Sequence, residues 1–463
     1  MRNIVKGVSN VKLNRATNSS STHSIIMTGK AFRDRFPFGN EYGLEEFVLG
    51  SEEAKKDYLA TMLYQNLSLK MDRGLALIAA NSYMGTDIEG DSYVDHQSFI
   101  HFPLNWKGNP LNMQFFDDFC AAVLQDGVTI FGGNDNSEAD SLGDLLSEEC
   151  PCIELPRFYD DETVARKDGD HWTLFNRETG KRATFSFVTE DKLEIADSPM
   201  LVEINVTDKC ERGCPWCYRN ATPDGEAAPR EKVTNLAYHL REAGVFEVCF
   251  GGGEPVEHPK FHEILEIYNY YHINTNFTTR SLKWPVELQR AVVKCNTGVG
   301  FSVDTYEEAK EAVSVFSDWG ILKQVTLHIV DRLFPIGEFE ILRKFARDAG
   351  VQLLVLGYKN IGRGAGYQEK GPSLWPLLKK GVADHWPIAV DTIFAAEYQE
   401  ELRKLKVPAW LYQVKEGNFN CFVDAVRGYI ARSSYDYEEN VPLTDSPSDF
   451  KKVWESLPRD GKE

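Results

Sequence analysis

From about residue 200 to about residue 365 the chain alternates short apolar runs with amphipathic helical patterns, and few folds accept that rhythm. The runs are VEINV from Val202, VFEVCF from Val245, INTNF from Ile273, VGFSVD from Val299, QVTLHIV from Gln324 and VQLLVLGY from Val351. Between them, after Pro229, Val233, Leu236, Ala237 and Leu240 fall at helical spacing, and Gly244 follows as a stop. Ala309, Ala312, Val313 and Phe316 share another helical face, with Gly320 beyond. Six strands separated by single helices imply parallel pairing through right-handed crossovers. The expected class is α/β, a partial or full β/α barrel, and in such barrels ligands sit at the carboxyl ends of the strands.

A chain of 463 residues is too long for one ordinary core, so two or three domains are expected. Residues 1–195 read as an α+β region, with a helical stretch from Leu44 to about Asn81 and a hairpin in HWTLFNRETGKRATFSF that turns at Glu178 to Gly180. Residues 196–370 hold the barrel. Residues 371–463 read as a small C-terminal extension that begins helical and contains a second hairpin in CFVDAVRGYIARSSY. A formal net charge of −19 argues against broad nucleic-acid binding, which recruits clustered Lys and Arg, and keeps the protein soluble. The opening MRNIVKGVSN lacks the apolar core of a secretory signal and no stretch is long and apolar enough to span a bilayer, so a cytoplasmic protein is expected. Nine unevenly spaced cysteines in such a chain predict reduced thiols.

Three of those thiols fall within eight positions, in LVEINVTDKCERGCPWCYRN, just after the first barrel strand. Cys210, Cys214 and Cys217 have the spacing C-x-x-x-C-x-x-C, which lets three thiolates converge from one loop on one metal centre. A structural zinc site normally needs four closed ligands in paired knuckles; no second pair follows, and nothing in its spacing singles out His258 as a fourth. An iron–sulfur cluster also usually takes four thiolates, so a loop that stops at three leaves one iron open to substrate or cofactor. One strand later VFEVCF runs into GGGEP, and Gly251, Gly252, Gly253, Glu254 and Pro255 fall at the same barrel face. Glycines there let backbone approach a ligand closely, although a glycine run alone is also just a tight turn.

Together, the cysteine triad and GGGEP resemble the radical S-adenosylmethionine (SAM) superfamily, over a region from Leu201 to about Gly366. The resemblance implies a partial (β/α)6 barrel of radical SAM type and a [4Fe–4S] cluster on the three cysteines, with SAM chelated to the open iron. Reduction then yields a 5′-deoxyadenosyl radical that takes hydrogen from a substrate. By family position Trp216 is expected near the adenine and GGGEP at the methionine moiety. Asn276 and Thr278 are further candidate contacts, and Ser302 and Asp304 match a ribose-binding position; the alternative for each polar residue is a strand or helix cap. A flavodoxin or ferredoxin type electron donor and oxygen sensitivity are implied as well.

The tail fragment NCFVDAVRGYIARSS is similar to the C-terminal extensions of family members that modify peptides, but its one thiol, Cys421, cannot hold a second cluster. A single cluster is therefore expected, unless Cys120, Cys150 and Cys152 contribute ligands. Cys421 is a candidate hydrogen donor to a substrate radical, against the alternative of a small buried hydrophobe. Cys249 and Cys295 read as core, and GRGAG from Gly362 lacks the strand–helix entry of a dinucleotide loop. Three functions remain open: radical SAM modification of a peptide or protein side chain, the same chemistry on a small molecule such as a nucleotide or amino acid, and a non-catalytic iron–sulfur or electron-transfer protein.

Overall fold

The computed structural model describes residues 10–12, 24–27, 34, 41–42, 47–95, 99–106, 110–132, 162–383, 386, 388–409, 411–435, 438–443 and 450–458. The chain divides into two compact units, Met1–Leu193 and Glu194–Glu463.

In the first unit the helical stretch expected from Leu44 is a strand, Phe47–Leu49, followed by two helices, Glu52–Ser68 and Arg73–Met84. The break has a local cause. Ser51 accepts from the amide of Ala54 at 3.1 Å and caps the first helix, while Asp72 accepts from Gly74 and Leu75 at 2.9 and 3.2 Å and starts the second. The predicted hairpin forms, with His171–Asn176 antiparallel to Arg182–Ser186 in a five-stranded sheet. Edge-to-face rings fill the core: Phe115 from the helix Met113–Val123 meets Trp172 and Phe187, with ring centroids 5.2 and 5.6 Å apart. Cys120 lies in this core, where burial, with Asp117 adding to it, pushes its thiol up to about 12. That disfavours the thiolate a cluster ligand needs; Cys150 and Cys152 lie outside the described residues.

In the second unit, whose elements are numbered here from its own start, one ten-stranded sheet organises the chain. The six strands expected from the sequence are β1 (Leu201–Thr207), β2 (Glu247–Gly252), β3 (Asn274–Thr279), β4 (Gly298–Ser302), β5 (Val325–Val330) and β6 (Gln352–Leu356). Each pairs in parallel with the next. Beyond residue 370, β7 (Ile388–Val390) adds in parallel to β6, and β8 (Asn420–Asp424) adds in parallel to the other side of β1. The second predicted hairpin is β8 with β9 (Tyr429–Ala431), and β10 (Val441–Pro442) pairs antiparallel with β9 at the edge. The sheet stays open between β7 and β10, so the barrel is partial.

The single helices between strands cover one face of the sheet, among them α1 (Arg230–Ala243), α2 (Phe261–Tyr270), α3 (Val286–Lys294), α4 (Tyr306–Asp318) and α5 (Phe339–Ala349). Strand periodicity sorts the side chains. Val202, Ile204, Val248, Phe250, Phe277, Phe301, Leu327 and Val355 are buried in the core beneath the helices. Alternate positions, including Glu203, Cys249, Asn276, Thr278, Ser302 and His328, take the opposite, inner face and are only half-buried. Cys295 is buried as expected, but Cys249 belongs to the inner face rather than the core. Among the described residues no helix is long and apolar enough to cross a membrane.

Candidate active site

The cysteine loop leaves β1 at its carboxyl end and is held by its own backbone before any ligand is considered. Asp208 accepts at its carbonyl from Thr222 at 3.1 Å, and Cys210 donates to the carbonyl of Thr222 at 2.9 Å, so the excursion is stitched at its base. Inside it, Cys217 donates to the carbonyl of Cys214 at 3.2 Å. All three thiols are half-buried, accessible enough to take a ligand yet screened from bulk water. Burial, with help from Glu254 and Glu257, raises the Cys210 thiol. Among the described residues no three His, Cys, Asp or Glu side chains stand together as ligands of one ion. A cubane asks for something different, one thiolate on each of three irons. His258 is no fourth ligand: it is buried with Nε2 at 2.9 Å from the carbonyl of Ala228, and its Nδ1 accepts from Lys260 at 3.2 Å.

The glycine loop lies directly against this one. The parallel ladder of β1 and β2 continues past the strand ends, with Gly253 donating to Thr207 and Glu254 donating to the carbonyl of Lys209 at 2.7 Å. No side chain fits there. A Cβ on Gly252 would stand 1.7 Å from Asn205 Oδ1, at a φ of +118° that side-chain-bearing residues rarely adopt, and one on Gly253 would stand 2.1 Å from the Lys209 carbonyl. The expectation that the whole GGGEP motif meets a ligand needs correction at Glu254. Its buried carboxylate is taken up by protein donors: Thr279 Oγ1 at 2.7 Å, the amide of Arg280 at 3.0 Å and the amide of Val256 at 3.3 Å. Burial holds it above the ordinary carboxylate range despite them. Glu254 therefore shapes the loop, and the surface left to a ligand is the backbone of Gly251 to Gly253.

At the end of β3 the structure brings in a residue that the sequence reading missed. Arg280 points Nη1 at Cys214 Sγ, 3.7 Å away, and forms an ion pair with Asp304. Glu308 joins them, 3.4 Å from Arg280 and 2.8 Å from Arg212. Burial alone would raise Glu308, but the Asp304 amide and the two guanidiniums together hold it below the ordinary range. Asp304 thus arrives beside the cysteine loop, engaged by cations. Ser302 ends β4 on the inner face, level with His328 of β5. Thr278 is on the same face, level with Gly300.

Asn276 is a correction: it sits mid-strand and its Nδ2 donates to Glu247 at 3.2 Å and to the Val248 carbonyl at 3.3 Å, toward the opposite end of the barrel. Cys421 is another. It is 1% exposed within the core under the helices, paired in register with Val202, so it cannot present its sulfur to the inner face and does not fit a hydrogen donor.

The loop after β6 closes the site from the other side. Trp216 meets Tyr367 edge to face, with centroids 5.4 Å apart, and Arg363 reaches the backbone of the cysteine loop. Lys359 lies 4.2 Å over the ring of Tyr218, which follows Cys217 directly, and donates to Ser434 Oγ at 3.2 Å. Burial alone would lower Lys359, but Tyr218, Glu203, Asp391 and Glu416 outweigh it and hold the ammonium above its ordinary value. Burial pushes the carboxyls of Asp391 and Glu416 up, and Glu416 accepts from the Tyr435 hydroxyl at 3.1 Å. Hence a polar cluster of Lys359 with Glu203, Asp391 and Glu416 stands beside Tyr218, next to the cysteine loop.

Two adjoining loops, one with three accessible thiols and one with a side-chain-free backbone, suit a sulfur-ligated cluster beside a small polar ligand. Residues 204–314 match the Radical SAM superfamily. That segment therefore carries a radical SAM domain. Members of that superfamily use a [4Fe–4S] cluster and SAM. The chain is 24% identical over 216 residues to the mycofactocin maturase MftC of Mycobacterium ulcerans, covering 42% of this chain and 56% of that protein. It is also 27% identical over 89 residues to the PqqA peptide cyclase of Gluconobacter oxydans, covering 19% of this chain and 25% of that one. The chain thus matches between a quarter and about half of the length of these curated relatives. Among solved structures, Streptococcus suis SuiB bound to S-adenosylmethionine is similar with a TM-score of 0.48 at 12% identity, covering 64% of this chain and 87% of that chain.

Proposed function

We propose that this enzyme holds its cluster on Cys210, Cys214 and Cys217, cleaves SAM reductively, and abstracts hydrogen from a peptide or protein side chain. The observation that carries the reading is the bond from the amide of Glu254 to the carbonyl of Lys209, which locks the glycine loop onto the cysteine loop at the carboxyl ends of β1 and β2. Held there, the cluster and SAM would supply one-electron reduction and hydrogen-abstracting radical chemistry. A primary carbon radical attacks nearly any C–H bond, so the protein's part is aim and exclusion of water.

In this reading the amides and carbonyls of Gly251 to Gly253 hold the methionine moiety, Trp216 lies by the adenine, and Ser302 and Thr278 face the adenosine from the inner wall. Asp304 is committed to Arg280 and acts through it. The substrate is assigned to the inner face, near His328 and Lys359. The N-terminal unit is assigned to substrate recognition, and a flavodoxin or ferredoxin supplies the electron. The peptide class is supported by one relative, the PqqA peptide cyclase, and by the hairpin β8–β9, whose sequence resembles the tails of peptide-modifying members.

The test is anaerobic turnover of the reconstituted, reduced protein with SAM and deuterated candidate peptides. Deuterium appearing in 5′-deoxyadenosine together with a mass change in the peptide is the expected result. Transfer from small metabolites but from no peptide would refute the substrate class.

A further inference from the structure

We infer that Arg363, in the loop after β6, is a positioning residue for the cluster: it fixes the course of the cysteine loop and so the place of the iron left open to SAM. The inference rests on the proposed assignment of the cluster to Cys210, Cys214 and Cys217. Within that loop the carbonyls of Cys214 and Cys217 accept from the loop's own amides, those of Cys217 at 3.2 Å and Asn220 at 3.4 Å. Such local bonds fix the turn but not its place against the strands. Arg363 ties it to the barrel at three points. Its Nε donates to the carbonyl of Cys214 at 3.1 Å, its Nη2 to that of Ala221 at 3.0 Å, and its own amide to that of Cys217 at 3.0 Å.

The neighbours of Arg363 are shaped to let it in. Gly362 has a φ of +56°, and a Cβ there would stand 2.4 Å from the carbonyl of Tyr218. At Gly364 a Cβ would stand 3.1 Å from the carbonyl of Trp216, and the Tyr358 hydroxyl donates to the Gly364 carbonyl at 2.6 Å, closing the segment on itself. GRGAG is thus a close-packed cradle for the cysteine loop rather than a phosphate loop. A planar guanidinium gives two donors in fixed relative geometry, which a lysine cannot reproduce. Residues that orient ligands from behind typically change metal-site affinity or activity by about 10–100-fold when removed.

The experiment compares wild type, Arg363→Ala and Arg363→Lys as full-length, anaerobically reconstituted proteins, by iron content, thermal unfolding, and EPR of the reduced cluster titrated with SAM. We expect Arg363→Ala to unfold near the wild-type temperature and to keep its iron, but to need about 10–100-fold more SAM for the spectral change. Arg363→Lys falls between. Wild-type SAM titration and spectra in Arg363→Ala would overturn the inference. Should Arg363→Ala not fold, Gly362→Ala displaces the same loop while leaving the guanidinium in place, and a wild-type SAM response from it would likewise overturn the inference. A wild type that itself binds no cluster would instead remove the proposed function, and the inference with it.

Discussion

His328 is the inner-face residue whose chemistry is most sharply set by its surroundings. Gly300 on the neighbouring strand gives it room: a Cβ there would stand 2.2 Å from His328 Cε1. Among the described residues its Nδ1 has no hydrogen-bond partner, and burial lowers its pKa from 6.5 to about 4. The imidazole is therefore neutral at pH 7, level with Ser302, where a substrate or the adenosine would meet it. The unfolded chain takes up a proton below about pH 6.5 while the folded one resists until about pH 4, so stability falls as pH drops through that window. Denaturant titrations of wild type and His328→Gln should show the wild type losing ground to the variant between pH 7 and pH 4.5. A pH-independent difference would contradict the assignment. Gly252→Ala is expected to disrupt the ligand-facing loop: its Cβ collides with Asn205, and SAM-dependent spectral changes should vanish while the barrel still unfolds cooperatively.

At the scale of elements, the hairpin β8–β9 holds the start of the cysteine loop through a buried ion network. Arg219 pairs with Asp424 at 2.7 Å, and Arg427 bridges Asp424 and Asp208 at 2.7 and 2.6 Å. Burial would raise Asp424, but the Arg427 amide and the two guanidiniums hold it below the ordinary carboxylate range. Its contribution is thus present above the ordinary carboxylate pKa and is lost as pH falls through the depressed one. Asp424→Ala leaves Arg427 its bridge to Asp208 but takes from the buried Arg219 its close carboxylate, and should cost about 3–5 kcal/mol in urea unfolding at pH 7. A loss of under about 1 kcal/mol would show the network to be solvent-screened. The order of these elements was readable in advance because it is written locally: strand periodicity, Pro229 before α1, and Gly244 after it. The two motif loops were readable because their residue types are rare together. Arg280, Arg363 and Asp424 were not, since their partners lie 66, 149 and 205 residues away and nothing local marks an arginine as aimed at a sulfur or a carbonyl. For Cys421 the structure favours the buried alternative over the donor, and for Glu254 a loop-shaping role, a choice open in the sequence because residue type does not tell which side of a strand or loop a side chain takes.

For the whole molecule, the second unit contains the elements that the chemistry needs: an open parallel barrel, two loops at one end, and an inner face of polar side chains. The proposed function has these parts cleave SAM on a cluster held by Cys210, Cys214 and Cys217. Its most direct test is anaerobic incubation of the reconstituted, dithionite-reduced protein with SAM, followed by quantitation of 5′-deoxyadenosine. Wild type should form it with about four irons per chain, and Cys214→Ala should form none. No 5′-deoxyadenosine from wild type at full iron loading, or undiminished formation by Cys214→Ala, would contradict the account.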